Sequence, residues 1–200
     1  MLNYKTDNRK KLFQWLDEYK IITVRMCRDM FYYENKYSYE NARQFLKRLE
    51  SDGILKSYNC NFYKRTFKVY CYPKEKELKF HEVYQYIYMS KLKQCGMNFI
   101  WKHDYFKELV RPDLVIAYTL NNRINVSCIE IDYTHPTNID KIKKYEYLVE
   151  SGYFLDKWEV NPSLVIISSK TTLLYESNII KIHQLDYNFT LDKLCKIYQL

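Results

Sequence analysis

Hydrophobic residues in the first fifty positions recur every three or four residues, and this spacing predicts three helices. The first is expected from about Asp7 to Tyr19, with Asp7 or Asn8 as its N-cap. Thr23 is expected to cap the second helix. Ser38 is expected to begin the third, which should end near Gly53 because glycine suits the left-handed position after a helix. The apolar stripes of the second and third helices are Val24, Cys27, Met30 and Phe31, and Ala42, Phe45, Leu46 and Leu49.

Two short apolar runs after the third helix predict a pair of strands. They are Ile54–Ser57 and Thr66–Tyr70, and the loop between them carries Lys64 and Arg65. Three helices followed by a strand, a basic loop and a strand is the order of a winged helix-turn-helix domain. In such a domain the third helix enters the major groove of DNA and the wing reaches the neighbouring backbone. We therefore predict a domain of this kind over residues 1–73.

The candidate DNA-binding residues are polar side chains that lie off the apolar stripe of the third helix or on the wing. Amide side chains can bond adenine edges, arginine or lysine can bond guanine or phosphate, and wing lysines contact phosphates. The set is Tyr39, Asn41, Arg43, Gln44, Lys47, Arg48, Lys64, Arg65 and Lys68.

The pattern after residue 80 predicts a second domain that mixes helices and strands over residues 80–200. A long amphipathic segment from Phe80 to about Gly96 precedes a strand at Met97–Trp101. Two β-branched runs then flank Asn121-Asn122, which predicts a β-hairpin. A helix capped by Thr137, a buried strand at Pro162–Ile167, a strand near Ile179–Leu185 and a helix at Leu191–Tyr198 complete the chain. This αβββαβ core predicts a mixed sheet with helices on its faces, and hence an α+β or α/β fold class.

The positive charge of the chain is confined to its first part. The net charge is +8, and residues 1–79 carry 18 Lys/Arg and 10 Asp/Glu, whereas residues 80–200 carry 14 of each. This asymmetry indicates a module that binds a polyanion joined to an electrically balanced one. Double-stranded DNA is therefore the expected partner.

The remaining composition excludes several classes of protein. The six cysteines are scattered without a CxxC pair, which favours free thiols in a reducing cytoplasm over disulfides or a zinc site. The N-terminus leads directly into charged residues, so we expect no signal peptide. No apolar run approaches the roughly 20 residues needed to span a bilayer, so we expect no membrane segment.

Three acids are placed at the ends of the predicted hairpin. Asp113 begins its first strand, and Glu130 and Asp132 lie late in its second strand. Residues two apart share a face of a strand, and the two ends of an antiparallel pair lie side by side, so the three carboxylates are expected to converge. Such acids repel one another unless a proton or cation joins them. Mg²⁺ is a suitable cation, held by Asp113, Glu130 and Asp132.

The pattern of Pro-Asp, a hairpin and Glu-x-x resembles the core of the PD-(D/E)XK nuclease fold. In active members the last position is usually Lys, which orients or activates the attacking water, but here it is Asp132. Lys141 and Lys144 on the following helix are candidates for a catalytic lysine that is supplied from outside the motif. The candidate catalytic set is thus Asp113, Glu130, Asp132 and Lys144. Lys141, one helical turn before Lys144, is the other candidate for the lysine.

The order of motifs over residues 5–190 resembles the replication-relaxation family of plasmids and other mobile elements. The motifs are a winged helix, Phe-His-Glu-Val, Arg-Pro-Asp-Leu-Val, Ile-Glu-Ile-Asp and Lys-Tyr-Glu-Tyr. The resemblance implies a DNA-binding accessory factor in replication or mobilisation, with a nuclease-like domain that lacks catalysis. Replication or relaxosome proteins, or a second copy of the chain, would be its further partners. A Mg²⁺-dependent endonuclease and a transcriptional repressor are the alternatives.

Overall fold

The computed structural model describes residues 3–33, 36–62, 65–133, 137–169 and 175–199, and for residues 3–6 and Arg65 the backbone alone. It is a mixed α+β structure, with seven helices and two sheets within the described ranges. The chain divides into two compact units, Met1–Gln94 and Cys95–Leu200. The boundary follows the fourth helix, whereas the sequence pattern placed it before that helix, between residues 73 and 80.

Unit 1 consists of four helices and a three-stranded antiparallel sheet. Its elements in chain order are α1 (Asn3–Tyr19), β1 (Ile21–Thr23), α2 (Val24–Phe31), α3 (Ser38–Ser51), β2 (Lys56–Phe62), β3 (Arg65–Cys71) and α4 (Phe80–Gln94). The strand order is β1-β3-β2, so the first strand pairs with the last. Buried side chains from the first three helices and β1 form the core, among them Leu12, Leu16, Ile22, Met26 and Leu46.

The predicted helices of unit 1 are confirmed, with two corrections. Thr23 caps α2 through its Oγ1, which accepts the N–H of Met26 at 3.2 Å, and Gly53 follows α3 with a φ of 69°. However, α1 begins four residues before Asp7, so Asp7 and Asn8 lie inside the helix. In addition, Ile21–Thr23 form a strand that the sequence pattern did not predict. The side chains of Ile21 and Ile22 are buried, and their backbones pair with Cys71 and Tyr70.

Both strands after α3 extend further than predicted; the first begins two residues later than predicted and the second one residue earlier. Lys56–Phe62 replaces Ile54–Ser57, and Arg65–Cys71 replaces Thr66–Tyr70. Helix α4 packs on this pair, since the ring of Phe80 stacks on that of Phe62 at 4.1 Å and meets Phe67 at 6.2 Å. These ring contacts explain why α4 belongs to unit 1.

Unit 2 is built on one five-stranded mixed sheet. Its elements are β4 (Phe99–Lys102), β5 (Leu114–Leu120), β6 (Arg123–Asp132), α5 (Ile139–Glu150), α6 (Tyr153–Trp158), β7 (Ser163–Ser168), β8 (Ile182–Leu185) and α7 (Leu191–Tyr198). The sheet order is β4-β5-β6-β7-β8, with antiparallel pairing up to β6 and parallel pairing beyond it. The parallel step from β6 to β7 requires a crossover, which α5 and α6 supply.

The predicted hairpin and mixed sheet of unit 2 are confirmed. Asn121 and Asn122 form its turn, with φ angles of 50° and 61°, the left-handed pair that a two-residue hairpin turn requires. The N-cap of α5 is Asn138 and not Thr137, because the side chain of Thr137 is bonded to Asp132 instead. Helix α6 was not predicted from the sequence.

Strand β6 is buried from Val126 to Asp132. Val126 and Cys128 form the core under α5 with Ile142, Tyr145 and Leu148. On the opposite face, the ring of Tyr118 meets that of Tyr198 on α7 at 5.1 Å. Because side chains alternate along a strand, Glu130 and Asp132 continue the row of Val126 and Cys128 and face α5.

Candidate functional site

The exposed face of α3 carries most of the residues predicted to bind DNA. Ala42, Leu46 and Leu49 are buried in the core of unit 1. Asn41 is half-buried, and the others lie exposed on the remaining surface of the helix: Tyr39, Arg43, Gln44, Lys47 and Arg48. This division follows from the helical period, since the apolar residues use one face and leave the polar ones to the other.

Glu40 holds two of these side chains. Its Oε2 accepts the Nε–H of Arg43 at 2.8 Å, and its Oε1 accepts from Arg43 Nη2 at 2.7 Å and from Gln44 Nε2 at 2.9 Å. The hydrogen bonds from Arg43 and then from Gln44 lower the pKa of Glu40 to about 2. Glu40 was not among the residues predicted to bind DNA, although its spacing to Arg43 and Gln44 was a usable signal.

The strand pair contributes fewer described residues than the helix. Lys68 is exposed on β3, and its Nζ lies 3.7 Å from Oε2 of Glu50 at the end of α3. Arg65 begins β3, but its side chain lies outside the described part of the structure. Lys64 also lies outside the described residues.

Asp113 extends the pairing of β5 and β6 by one position in unit 2. Its N–H donates to the carbonyl of Ile129 at 3.0 Å, and its Oδ2 accepts the N–H of Ile131 at 2.6 Å. Because Leu114 is paired with Ile129, Asp113 lies opposite Glu130 in this register. The hairpin therefore brings these two acids together, as the sequence pattern predicted.

Glu130 is a buried carboxylate with two side-chain partners on α5. The side chain is 2% exposed, and its Oε2 accepts from Nζ of Lys141 at 2.5 Å. Its Oε1 accepts from the hydroxyl of Tyr145 at 2.6 Å. Burial, aided by the charge of Asp113, raises the pKa of Glu130 to about 7, although Lys141 and Tyr145 act in the opposite direction. The group is thus poised to change its protonation near neutral pH.

Asp132 has a different set of contacts, although it shares a face of β6 with Glu130. Its Oδ1 accepts from the hydroxyl of Thr137 at 2.7 Å, and its backbone carbonyl accepts from the hydroxyl of Tyr187 at 2.6 Å. Burial raises the pKa of Asp132, and the hydrogen bonds from Thr137 oppose that effect. Asp132 therefore joins the end of β6 to Thr137, next to the start of α5.

The three acids do not form the predicted three-carboxylate metal site. Within the described ranges, no group of three or more His, Cys, Asp or Glu side chains is arranged to hold a metal ion. Both oxygens of Glu130 accept hydrogen bonds, and Oδ2 of Asp113 and Oδ1 of Asp132 do so as well. The ammonium group of Lys141 forms an ion pair with Glu130. The arrangement therefore does not fit a divalent ion held by all three acids.

Lys141 and Lys144 are placed differently. Lys141 lies in the first turn of α5, where Asn138 caps the helix by accepting the Lys141 N–H at 2.9 Å. Lys144 is exposed, and in the part of the chain that the structure describes no ion pair joins it to the three acids. The lysine of the acid cluster is thus Lys141, not Lys144. Tyr145 and Thr137 also belong to the cluster, and their spacing from Glu130 and Asp132 gave no sequence signal.

No helix within the described residues has the length and apolar character needed to cross a membrane. No protein-family model matches the chain, so the resemblance to the replication-relaxation family stays a prediction. No curated protein matches it either.

Two solved structures are partly similar to the chain. The first is restriction endonuclease FokI, with 12% identity and a TM-score of 0.38, covering 96% of this chain and 44% of that one. The second is restriction endonuclease FokI bound to DNA, with 10% identity and a TM-score of 0.36, covering 98% and 46%. The chain spans less than half the length of those proteins. At these TM-scores the likeness does not establish a shared activity.

Proposed function

We propose that the chain binds double-stranded DNA through unit 1, which we interpret as a winged helix-turn-helix domain. The observation that carries this proposal is the exposed face of α3, where Arg43, Gln44, Lys47 and Arg48 lie together. The end of this helix meets β3 through the ion pair of Glu50 with Lys68. The charge distribution supports it, because unit 1 has 20 Lys/Arg and 11 Asp/Glu, a net charge of +9, whereas unit 2 has 12 and 13, a net charge of −1.

In this proposal α3 enters the major groove and the strand pair follows the adjacent backbone. Arg43, Gln44 and the half-buried Asn41 contact base edges, whereas Lys47, Arg48 and Lys68 contact phosphates. Contacts with phosphate release condensed counterions, so binding weakens as salt is added. The biological role, accessory factor in replication or mobilisation of a mobile element, rests on the sequence resemblance alone.

We further propose that unit 2 is a nuclease-like scaffold that does not cut DNA. Lys141 occupies the position of a neutralising cation beside Glu130, and Asp132 carries a hydrogen bond where a catalytic lysine would stand. Its role in this proposal is contact with replication or relaxosome proteins, or with a second copy of the chain.

The alternative function is a Mg²⁺-dependent endonuclease, and one observation favours it. Lys141 brings an ammonium group to Glu130 from the following helix, which supplies the lysine that the sequence motif lacks. This alternative requires the side chains to rearrange, since both oxygens of Glu130 already accept hydrogen bonds.

The experiment that separates these functions incubates the protein with supercoiled and linear DNA in the presence of Mg²⁺ or Mn²⁺, beside its Asp113→Ala variant. We expect both proteins to retard the DNA and neither to cut it. Cutting by the wild type alone would establish the nuclease and reject the scaffold proposal. Absence of retardation at low salt, about 50 mM, would reject DNA binding, because phosphate contacts are strongest there.

A further inference from the structure

The contacts of Glu40 concern the residues that unit 1 would use to select a DNA sequence. Glu40, Arg43 and Gln44 lie at positions i, i+3 and i+4 of α3, so they share one stripe of the helix surface. The side chains of Glu40 and Arg43 are 45% and 48% exposed, respectively, so neither is part of the core. Three hydrogen bonds of 2.7–2.9 Å join the carboxylate to its two neighbours. This stripe therefore combines an acid with two side chains that can form hydrogen bonds with base edges.

The pairing changes what Arg43 can do on DNA. A free arginine on a recognition helix binds phosphate wherever one is in reach, because that attraction does not depend on sequence. In α3 the Nε–H and one Nη2–H of Arg43 are directed to Glu40, which fixes the plane of the guanidinium. The remaining N–H groups can donate to O6 and N7 of guanine, a bidentate contact that depends on the orientation of that plane.

The carboxylate also opposes indiscriminate binding. Its negative charge offsets that of Arg43 and repels phosphate, so contacts with arbitrary DNA gain less free energy. Glu40 lies in the first turn of α3, where an acid also stabilises the helix through its dipole. That structural effect would act equally on binding to every sequence, so it can be separated from a role in discrimination.

We propose that Glu40 is a specificity-determining residue of unit 1, which directs Arg43 to a guanine edge and disfavours binding to the phosphates of arbitrary DNA. It is a positioning residue, since it acts through Arg43. The inference rests on the proposed DNA binding of unit 1. It assigns the selection of a DNA sequence to the pair of Glu40 and Arg43.

The test compares affinity for a random-sequence pool of labelled duplexes with affinity for the duplex that the wild type enriches most strongly from that pool. For Glu40→Gln we expect pool binding to tighten about 3- to 10-fold and its salt slope to steepen by about one, because Arg43 gains a phosphate. The ratio of selected to pool affinity should fall about 10-fold as the oriented guanine contact is lost. In an Arg43→Ala background, Glu40→Gln should leave this ratio unchanged.

The matched control is Asp7→Asn. It removes the same charge from an exposed acid of unit 1 that pairs with a lysine one helical turn away, since Oδ2 of Asp7 lies 2.6 Å from Nζ of Lys11. We expect it to leave the ratio unaltered, and circular dichroism melting of every variant checks that it folds.

Four outcomes would contradict the inference, and they differ in what they say about DNA binding. An equal shift of pool and selected affinity by Glu40→Gln, or a ratio lowered as much by Asp7→Asn, would overturn the role of Glu40 and leave DNA binding standing. So would a wild type that binds the pool but enriches no sequence. A wild type that does not bind the pool would overturn the proposed function and this inference together.

Discussion

Glu130 places a carboxylate in the interior of unit 2, where an ionised group without partners would be strongly unfavourable. Lys141 and Tyr145 compensate for part of that cost through hydrogen bonds of 2.5 and 2.6 Å. Burial is still the larger effect, and it raises the pKa of Glu130 to about 7. The residue is therefore more easily protonated in the folded protein than in the unfolded chain, where its pKa is near 4.5.

This difference predicts how stability depends on pH. A folded state that binds the extra proton is favoured below the unfolded pKa, and this contribution is lost as the pH rises from about 4.5 through about 7. Relative to Glu130→Gln, the free energy of unfolding of the wild type should fall by up to about 3 kcal/mol between pH 4.5 and pH 8. Urea denaturation of both proteins across that range measures the difference.

Two comparisons make this pH prediction specific to Glu130. The pKa of Asp132 is raised as well and adds a trend of the same sign, but Asp132 is retained in both proteins. Glu150→Gln makes the same chemical change at an exposed position of α5. A wild type and a Glu130→Gln variant that keep a constant difference in stability over this range would show that Glu130 does not titrate there.

At the scale of elements, the sequence predicted best where the determining contacts are local. Thr23 and Gly53 mark helix ends through their own side chain or φ angle, and Asn121-Asn122 forms the hairpin turn in the same way. The strand β1 could not be recognised because three residues carry no period, and its existence depends on pairing with β3, nearly fifty positions away. The inclusion of α4 in unit 1 was not predicted for a similar reason. It depends on contacts of Phe80 with Phe62 of β2 and Phe67 of β3, which are distant in sequence.

The acid cluster of unit 2 was also predicted best where its geometry depends on local structure. Alternation along β6 predicted that Glu130 and Asp132 share a face, and the hairpin register placed Asp113 beside Glu130. Which lysine would meet Glu130 depended on where α5 begins, and its start was predicted one residue early, at a cap formed by Thr137. With Asn138 as the cap, Lys141 lies in the first turn and reaches the carboxylate.

The cap of α5 can be tested directly. In Asn138→Ala the helix loses the acceptor of the Lys141 N–H, and we expect the free energy of unfolding to fall by about 1 kcal/mol. Asn138→Asp keeps an acceptor and adds a negative charge that is favourable at a helix N-terminus, so it should retain most of the stability. Urea denaturation compares the two, and equal losses would mean that the cap contributes little to α5.

At the scale of the whole molecule, the two units differ in net charge and in where their charged side chains lie. Unit 1 carries a net charge of +9 on 94 residues, with its basic side chains exposed on α3 and β3. Unit 2 is nearly neutral, and Glu130, whose pKa is raised to about 7, is buried next to Lys141. We therefore expect unit 1 to attract a polyanion, because the buried cluster of unit 2 contributes little to the outer field.

The salt dependence of DNA binding tests this division between the units. Each phosphate contact contributes about 0.9 to the slope of log affinity against log salt, so Lys47→Ala should reduce that slope by about one. Lys144→Ala removes another exposed lysine, from α5 of unit 2, and should leave both slope and affinity unchanged. Fluorescence anisotropy on a random-sequence duplex between about 50 and 200 mM salt measures both variants. A loss in Lys144→Ala as large as that in Lys47→Ala would show that DNA also contacts unit 2, and the exposed face of α5 would then belong to the binding surface.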